Sequence, residues 1–503
     1  MAKTTIDNDN KKLSVSASDS FLGLDIGGTG VKAGVFDTAG RQLGFARRGY
    51  QPISPEEGWA EIPIAEIYQA TRQAVREAVG LAGCQPRAIS ISSQGQTFVA
   101  LDDHDQPLYP AILWYDRRGC DYTGPLENTF AECQAGIPQV APFATVTKIQ
   151  WLKDHHPDLS ARVRRYLLLP DYFAYRLTGN AVVDCNTAGS TGLCSRLAAD
   201  FSLPALAGCG IRREQMSCVA PPGIGVGAIN PEVAREWGLS AETLFVVGTN
   251  DQYAGALGAG NCRPGIVSVA FGSCLALLTL SEKSVPEFPG IFSGSFPVTA
   301  YRYVLAFLKA SGLLLDWYRR EMAGGMSFDQ LNQLAAGVPP GSHGLTVVPH
   351  FDGRISPRPD AAMRGAIMHL TLQHTSVDVY RGILEALAFG LRENLEYLET
   401  AGYAAATVRA IGGGARNDLW MQMQADVAGK LIERPVVTEA AVLGAAMLAM
   451  AGADARSSLA AISARLYQPA KVFHPDLQLA RAYQAAYHRY QAVCPPPTDG
   501  ISV

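Results

Sequence analysis

A chain of 503 residues with 48% hydrophobic and 17% charged residues is long enough for two or more domains with real cores, and has the balance of a globular enzyme. Its net charge of -4, with no basic block, excludes nucleic acid as the expected partner. No apolar run is long enough to cross a bilayer, and the ten cysteines show neither a Cys-x-x-Cys pair nor zinc-type Cys/His spacing.

Residues 1–19 are polar, include Asp7-Asn8-Asp9-Asn10-Lys11-Lys12, and lack the apolar core of a signal peptide. They read as a disordered leader. With the unpaired pattern of cysteines, this gives a cytoplasmic chain with reduced thiols as the expectation.

The stretch Phe21 to Asp37 reads as two strands around the turn Gly27-Gly28-Thr29-Gly30. Successive N–H groups in such a turn form an anion-binding nest. Asp25 at its mouth would repel phosphate unless a metal ion lay between them, so the pattern suggests a phosphate–Mg²⁺ hairpin. An ordinary tight hairpin with an incidental acid fits the same residues. The spacing Gly28-x-Gly30-x-x-Ala33 also fits the loose dinucleotide fingerprint, but that fingerprint needs a helix after the glycines. Here an alternating, strand-like run follows.

A further strand is expected over 41–50, then a loop through Gly58 to Glu61. Helical spacing over 64–81 puts Ile64, Ile67, Tyr68, Thr71, Val75 and Val79 on one side. Strands follow over 88–93 and 97–101. Their ends carry Gln94 and Gln96, and the next segment carries Trp114 and Asp116. Amides, a flat ring and an acid beyond strand ends suit a polyhydroxylated ligand, although ordinary loop polarity and a rim tryptophan also account for them.

A helix is expected from Thr145. The stretch Leu244 to Gly260 reads as a buried strand, a turn with Asp251, and a small-residue helix, whose macrodipole would favour an ionised Asp251. A plain N-cap acid is the alternative. The stretch Ile266 to Thr279 repeats the opening design around Gly272-Ser273. Gly312 lies near the start of the next helix. The loop Pro349 to Pro357 precedes a strand expected up to Thr371, and a long amphipathic helix spans 376–398. A strand then meets the triple glycine Gly412-Gly413-Gly414, with helices over 418–431 and 440–451 and a mixed helical tail over 454–503 ending at Pro495-Pro496-Pro497. Two phosphate-type hairpins, one per half, describe a two-lobed actin-like (ribonuclease H-like) α/β fold with the nucleotide between the lobes.

This set of motifs resembles the FGGY carbohydrate kinases over nearly the whole chain after about Ser20. The stretch Phe143 to His155 fits the family's first signature. Gly248-Thr249-Asn250-Asp251-Gln252 is similar to its catalytic stretch, Gly412 to Asn417 to its adenosine motif, and Gly272-Ser273 to its second phosphate motif. The resemblance implies an N-terminal kinase domain over 20–258 and a C-terminal, ATP-binding one over 259–453. It implies Asp251 as the base that accepts a sugar hydroxyl proton and Asp25 as the Mg²⁺ residue. Gly28, Thr29, Lys32, Gly272 and Ser273 would face the phosphates. Gly312, Gly413, Gly414 and Asn417 would line the nucleotide, and Gln94, Gln96, Trp114, Asp116 and Gln252 the sugar.

The chain departs from the family in places. Gly27-Gly28-Thr29 resembles the ROK sugar kinases, which are shorter and carry a zinc motif absent here. Ser273 stands where Thr is commoner. Gly95-Gln96 replaces the Arg-Glu of glycerol kinases and the Met-His usual in xylulokinases. The expectation is an ATP- and Mg²⁺-dependent kinase of a ketose, a pentulose such as xylulose or ribulose being favoured, with another polyol or a ketohexose as alternatives. The partner is a small sugar or polyol, without nucleic acid or membrane, and a homodimer is left open. The rival of a different class is an actin-like ATPase or a non-catalytic sugar binder.

Overall fold

The computed structural model describes residues 20–494 except 138, 196–199, 287 and 455–456. The expected leader and the triple-proline stop lie outside the described residues. Two sheets organise the chain, and their topology is duplicated. In the first, the strands run in the order 225–228, 244–250, 88–93, 20–26, 30–37, 42–49. In the second, the order is 291–295, 302–308, 275–281, 266–271, 407–411, 431–435, 469–473. Each sheet thus contains an antiparallel hairpin, a third antiparallel strand beyond it, and two parallel strands on its other side. That arrangement twice over is the two-lobed actin-like fold.

The parallel register decides where chemistry can occur. Asp25 stands opposite Ser92, and Ser93 opposite Asn250, so three neighbouring strands deliver their carboxyl ends to one edge. Open sheets with parallel strands bind ligands beyond such an edge.

The helices follow their apolar faces. The first runs Ile64–Ala82, and the six residues read as its apolar side are all buried. It ends at Gly83 in the left-handed conformation, whose N–H donates to Val79 O. A four-stranded sheet of 61–62, 111–112, 98–101 and 165–168 sits beside the first lobe over its own core, which includes Phe98, Phe130 and Trp151. It presents Gln96 and Trp114. Glu61, expected in a loop, belongs to its short edge strand.

The helix Ala440–Ala453 has no polar side, so it must be covered all round. It lies against the first sheet and the helix Asp251–Gly258, inside a core shared by the two lobes. Glycines permit the close approach. A Cβ at Gly444 would lie 1.9 Å from Ala254 O, one at Gly258 1.9 Å from Ala440 O, and one at Gly23 2.0 Å from Val442 O.

Three expectations on element bounds are corrected. The strand near Thr371 is confined to Ala366–Met368. The helix expected over 418–431 stops at Ala428, because Gly429 takes the left-handed conformation and Leu431 already pairs in the second sheet. The tail is not purely helical: Pro469–Phe473 forms the edge strand of the second sheet. The helix Leu477–Val493 buries Tyr483, Tyr487 and Tyr490 in the core of that lobe. None of the ten cysteines forms a disulfide. Among the described residues no helix is long and apolar enough to cross a membrane.

Candidate active site

The first hairpin turns tightly, with Gly27 N–H donating to Gly30 O at 2.9 Å. Its glycines are not explained by left-handed backbone, since none of Gly27, Gly28 and Gly30 has positive φ. Close packing explains Gly30 instead: a Cβ there would lie 2.7 Å from Arg48 O. Tyr50 holds the turn from below, its hydroxyl donating to Gly27 O and, at 3.3 Å, to Gly30 O. Thr29 is exposed at the tip.

Asp25 ends the first strand. Its Oδ1 accepts from Ser92 Oγ at 3.3 Å, and Lys32 Nζ stands 4.0 Å from its Oδ2. Burial raises the Asp25 carboxyl above its usual range against the pull of Lys32. Lys32 itself is paired with Glu439, Nζ to Oε2 at 2.7 Å, and Glu439 Oε1 also accepts from Arg416 Nη2 at 3.1 Å. Burial opposes the charge of Lys32, but Asp25 and Glu439 together raise its pKa.

Asp251 is the first residue of its helix, and Asn250 is the N-cap, its Oδ1 accepting from Gln252 N–H at 3.0 Å. The N-cap alternative for Asp251 is therefore set aside. The ionised form that the macrodipole favours is opposed by burial. Burial, and after it the charge of Asp25, pushes the Asp251 carboxyl up to about 7, although its Oδ1 accepts from Gln252 N–H at 2.8 Å. A helix terminus contributes about 0.3–1 kcal/mol, which desolvation of a carboxylate readily exceeds. The charge of Asp251 also reaches Cys274 in the second hairpin, where burial is the main cause of a thiol pushed up to about 11.

The second hairpin is joined to the helix Gly312–Glu321. Gly312 N–H donates to Gly272 O at 2.9 Å, and Ser311 N–H to Ser273 O at 3.0 Å. A Cβ at Gly312 would lie 2.6 Å from Gly272 O, so glycine is required there. Gly272 and Ser273 are exposed. In the triple glycine, Gly412 has φ +85°, a Cβ at Gly414 would press on Trp420 at 2.7 Å, and a Cβ at Gly413 would meet nothing within 4 Å. Asn417 caps the following helix through Trp420 N–H and donates from Nδ2 to Asn332 Oδ1 at 2.9 Å, so both ends of its amide are engaged within the protein.

The expected sugar residues separate into two groups. Gln94 is buried beneath the first hairpin and donates from Nε2 to Gly27 O at 3.3 Å, while its Oε1 has no partner among the described residues. Gln96 and Gln252 are half-buried, and the Trp114 ring is 40% exposed. Those three keep exposed surface. Asp116 does not, and its expected place at the sugar is corrected. Its Oδ1 accepts from Arg118 Nε at 2.9 Å, and its Oδ2 from Arg118 Nη2 at 2.8 Å and Ala60 N–H at 2.5 Å. Its side chain has no exposed surface.

Two residues of the site went unassigned in the sequence. Glu439 has no local signal. Lys148 has one: a lysine among Val146, Ile149, Trp151 and Leu152 on a helix, which is odd on a buried face. It is fully buried, and its Nζ donates to Gln96 O and Leu113 O at 3.1 Å and to Trp114 O at 3.5 Å. It thereby ties together the two loops that carry Gln96 and Trp114. Burial brings its pKa down to about 7.

Comparison with known proteins identifies the family. The N-terminal domain of the FGGY family of carbohydrate kinases matches residues 20–258, and the C-terminal domain of that family matches residues 269–453. A xylulose kinase of Bacillus subtilis (strain 168) is 29% identical over 482 residues, covering 94% of this chain and 96% of that protein. An L-xylulose/3-keto-L-gulonate kinase of Escherichia coli (strain K12) is 29% identical over 494 residues, covering 94% and 96%. The crystal structure of a xyloylose kinase from Brucella ovis superposes with a TM-score of 0.85 at 28% identity, covering 95% of this chain and 99% of that one.

Proposed function

Since this chain belongs to the FGGY family of carbohydrate kinases, we propose that it transfers the γ-phosphate of ATP to a hydroxyl of a ketose, a pentulose in the first instance, with Asp251 as general base. The observation that carries this reading is that the strand carrying Asp25 and the strand leading into Asp251 deliver their carboxyl ends to one sheet edge, while Thr29 in the first hairpin turn and Gly272 and Ser273 in the second are exposed. The names of the two relatives, a xylulose kinase and an L-xylulose/3-keto-L-gulonate kinase, support a ketose.

Phosphoryl transfer depends on positioning and on neutralising charge. Thr29 and the Gly28 backbone on one side, and Gly272 and Ser273 on the other, would bracket the phosphates, with Lys32 turning from Glu439 toward them. Gly312, Gly413 and Gly414 would leave bare backbone for the adenosine, and Asn417 would fix that wall from behind. Asp25 fits a hard divalent cation, being an oxygen donor whose nearest cation stands 4.0 Å away. A magnesium ion held there would neutralise negative charge on the phosphate oxygens.

A sugar hydroxyl is a very weak acid, so Asp251 would take its proton as the new P–O bond forms. Its raised pKa makes it a better proton acceptor than an ordinary surface carboxylate. Gln94, Gln96, Trp114 and Gln252 would contact the sugar, and Asp116 would act only by fixing the loop between Trp114 and Arg118. The test is ADP release from Mg-ATP across a panel of ketoses, aldoses and polyols, with a no-sugar control. A strong rise with one ketopentose is the expected result. A rise only with a ketohexose or a polyol would overturn the pentulose, and equal ADP release without sugar would favour an actin-like ATPase.

A further inference from the structure

Away from the proposed active site, in the C-terminal lobe, three side chains of different chemistry meet inside the protein. His350 follows the strand Thr346–Val348, Glu393 lies in the helix Ser376–Thr400, and Cys494 caps the helix Leu477–Val493. One ligand atom from each lies within 4.8 Å of the others. All three are buried, at 1%, 5% and 0% exposure.

What makes the cluster unusual is its unmet bonding capacity. Neither ring nitrogen of His350 has a hydrogen-bond partner among the described residues, and neither does Glu393 Oε1. A neutral imidazole always carries one N–H, and a buried polar group left unmade costs about 1–3 kcal/mol. The outer partners, by contrast, are in place. Tyr490 donates its hydroxyl to the other carboxylate oxygen, Glu393 Oε2, at 3.3 Å, and Arg354 Nη1 donates to Cys494 Sγ at 3.6 Å. Such contacts fix the orientation of a ligating group and leave its remaining lone pairs pointing inward.

We propose that His350, Glu393 and Cys494 form a zinc site that pins the last helix to the body of the C-terminal lobe. Nitrogen, carboxylate and sulfur together suit zinc, whereas magnesium and calcium prefer oxygen alone. Bonds of about 2.0–2.3 Å place tetrahedral ligand atoms roughly 3.3–3.8 Å apart, so binding would draw the three atoms inward from their present spacing of up to 4.8 Å and leave the fourth position to a water. Binding converts the Cys494 thiol to thiolate and releases that proton to solvent. The guanidinium of Arg354 repels the ion but also stabilises the thiolate. The site is independent of the phosphoryl-transfer reading.

The test uses the full-length protein purified from zinc-supplemented cells. After dialysis against metal-free buffer, elemental analysis is expected to find about one zinc per chain. Chelator-stripped protein titrated with cobalt(II) is expected to develop thiolate-to-cobalt charge-transfer absorption. That band should disappear in Cys494→Ser and in His350→Ala, and persist in Cys209→Ser, which changes a buried thiol elsewhere. If the first two variants fail to fold, stripped wild-type protein decides. One equivalent of zinc should raise its Tm by several degrees, reversibly with chelator. Absence of retained zinc together with absence of a cobalt band, or a band unchanged in a folded Cys494→Ser, or no Tm shift, overturns the proposal.

Discussion

Lys32 Nζ lies 2.7 Å from Glu439 Oε2, so the first phosphate-type hairpin is tied by its lysine to the opposite lobe. Both side chains keep solvent contact, and an ion pair of that kind contributes only about 0–1 kcal/mol. It is therefore exchangeable, and a nucleotide phosphate would compete with Glu439 for the same ammonium. Glu439→Gln is expected to lower KM for ATP a few-fold with little change in Tm, because Lys32 then has no rival anion to leave. Lys32→Ala is expected to lower kcat/KM by about 10²-fold, the usual loss of one charge-stabilising donor. Steady-state kinetics at varied Mg-ATP measure both. A rise in KM for Glu439→Gln would show that the carboxylate helps to hold the nucleotide.

For Asp251 the pH dependence has two parts with opposite meaning. A base with a pKa of about 7 is protonated in acid, so kcat/KM should fall about tenfold per unit as pH drops below about 7. Stability runs the other way. The folded carboxyl binds its proton more tightly than the unfolded one, whose value is near 3.8, so between about pH 4 and 7 the folded state holds more protons. Stability then declines as pH rises through that window and stays lower above it. Asp251→Asn removes the effect. It is expected to lose about 10²–10⁴-fold in turnover while gaining on the order of 1–2 kcal/mol at pH 8 relative to wild type, discounted for partial exposure. Near-normal turnover in this variant would remove Asp251 from the mechanism.

The sequence made some of this legible because the signals are local. The helix Ile64–Ala82 is legible from five apolar residues and Thr71 at helical spacing. The two hairpins were visible from alternation around Gly-rich turns, and their repetition gave the lobes. Contacts between distant segments left no such trace. The partners of Lys32 and Asp116 include Glu439 and Ala60, one 407 residues away and the other 56. The edge strand Pro469–Phe473 has no alternating pattern that would mark it, since four of its five residues are exposed. For Asp251 the local helix-terminus effect is real, but the cost of burial, which no local pattern displays, is larger.

The three consecutive glycines at 412–414 are expected to behave differently. Gly412, at φ +85°, is strained by any side chain, so Gly412→Ala should cost about 1 kcal/mol or more and lower Tm. A side chain at Gly413 meets open space. Gly413→Leu should therefore change stability by less than about 0.5 kcal/mol. If the adenosine lies against this backbone, the same variant should raise KM for ATP at least tenfold with kcat nearly unchanged. Thermal melts beside ATP-dependent kinetics separate the two effects. An unchanged KM in Gly413→Leu would move the nucleotide elsewhere.

Asp116 and Arg118 are expected to act through folding. The guanidinium has no exposed surface, bonds both Asp116 and Glu61, and lies 4.0 Å from the Trp59 ring centroid and 4.7 Å from that of Trp151. Removing one partner of such a buried pair leaves an uncompensated charge, at a cost of about 3–5 kcal/mol. Glu61 compensates in part, so Asp116→Ala should lie near the lower end of that range. Gln96→Ala and Trp114→Ala, which change partly exposed groups proposed to contact the sugar, should instead raise KM for the sugar with Tm nearly unchanged. Because Trp114 is joined by one intervening residue to Asp116, the Asp116 variant should also loosen sugar binding, but only alongside its loss of stability. Asp116→Asn with an unchanged Tm and a raised sugar KM would mean that its carboxylate touches the sugar directly.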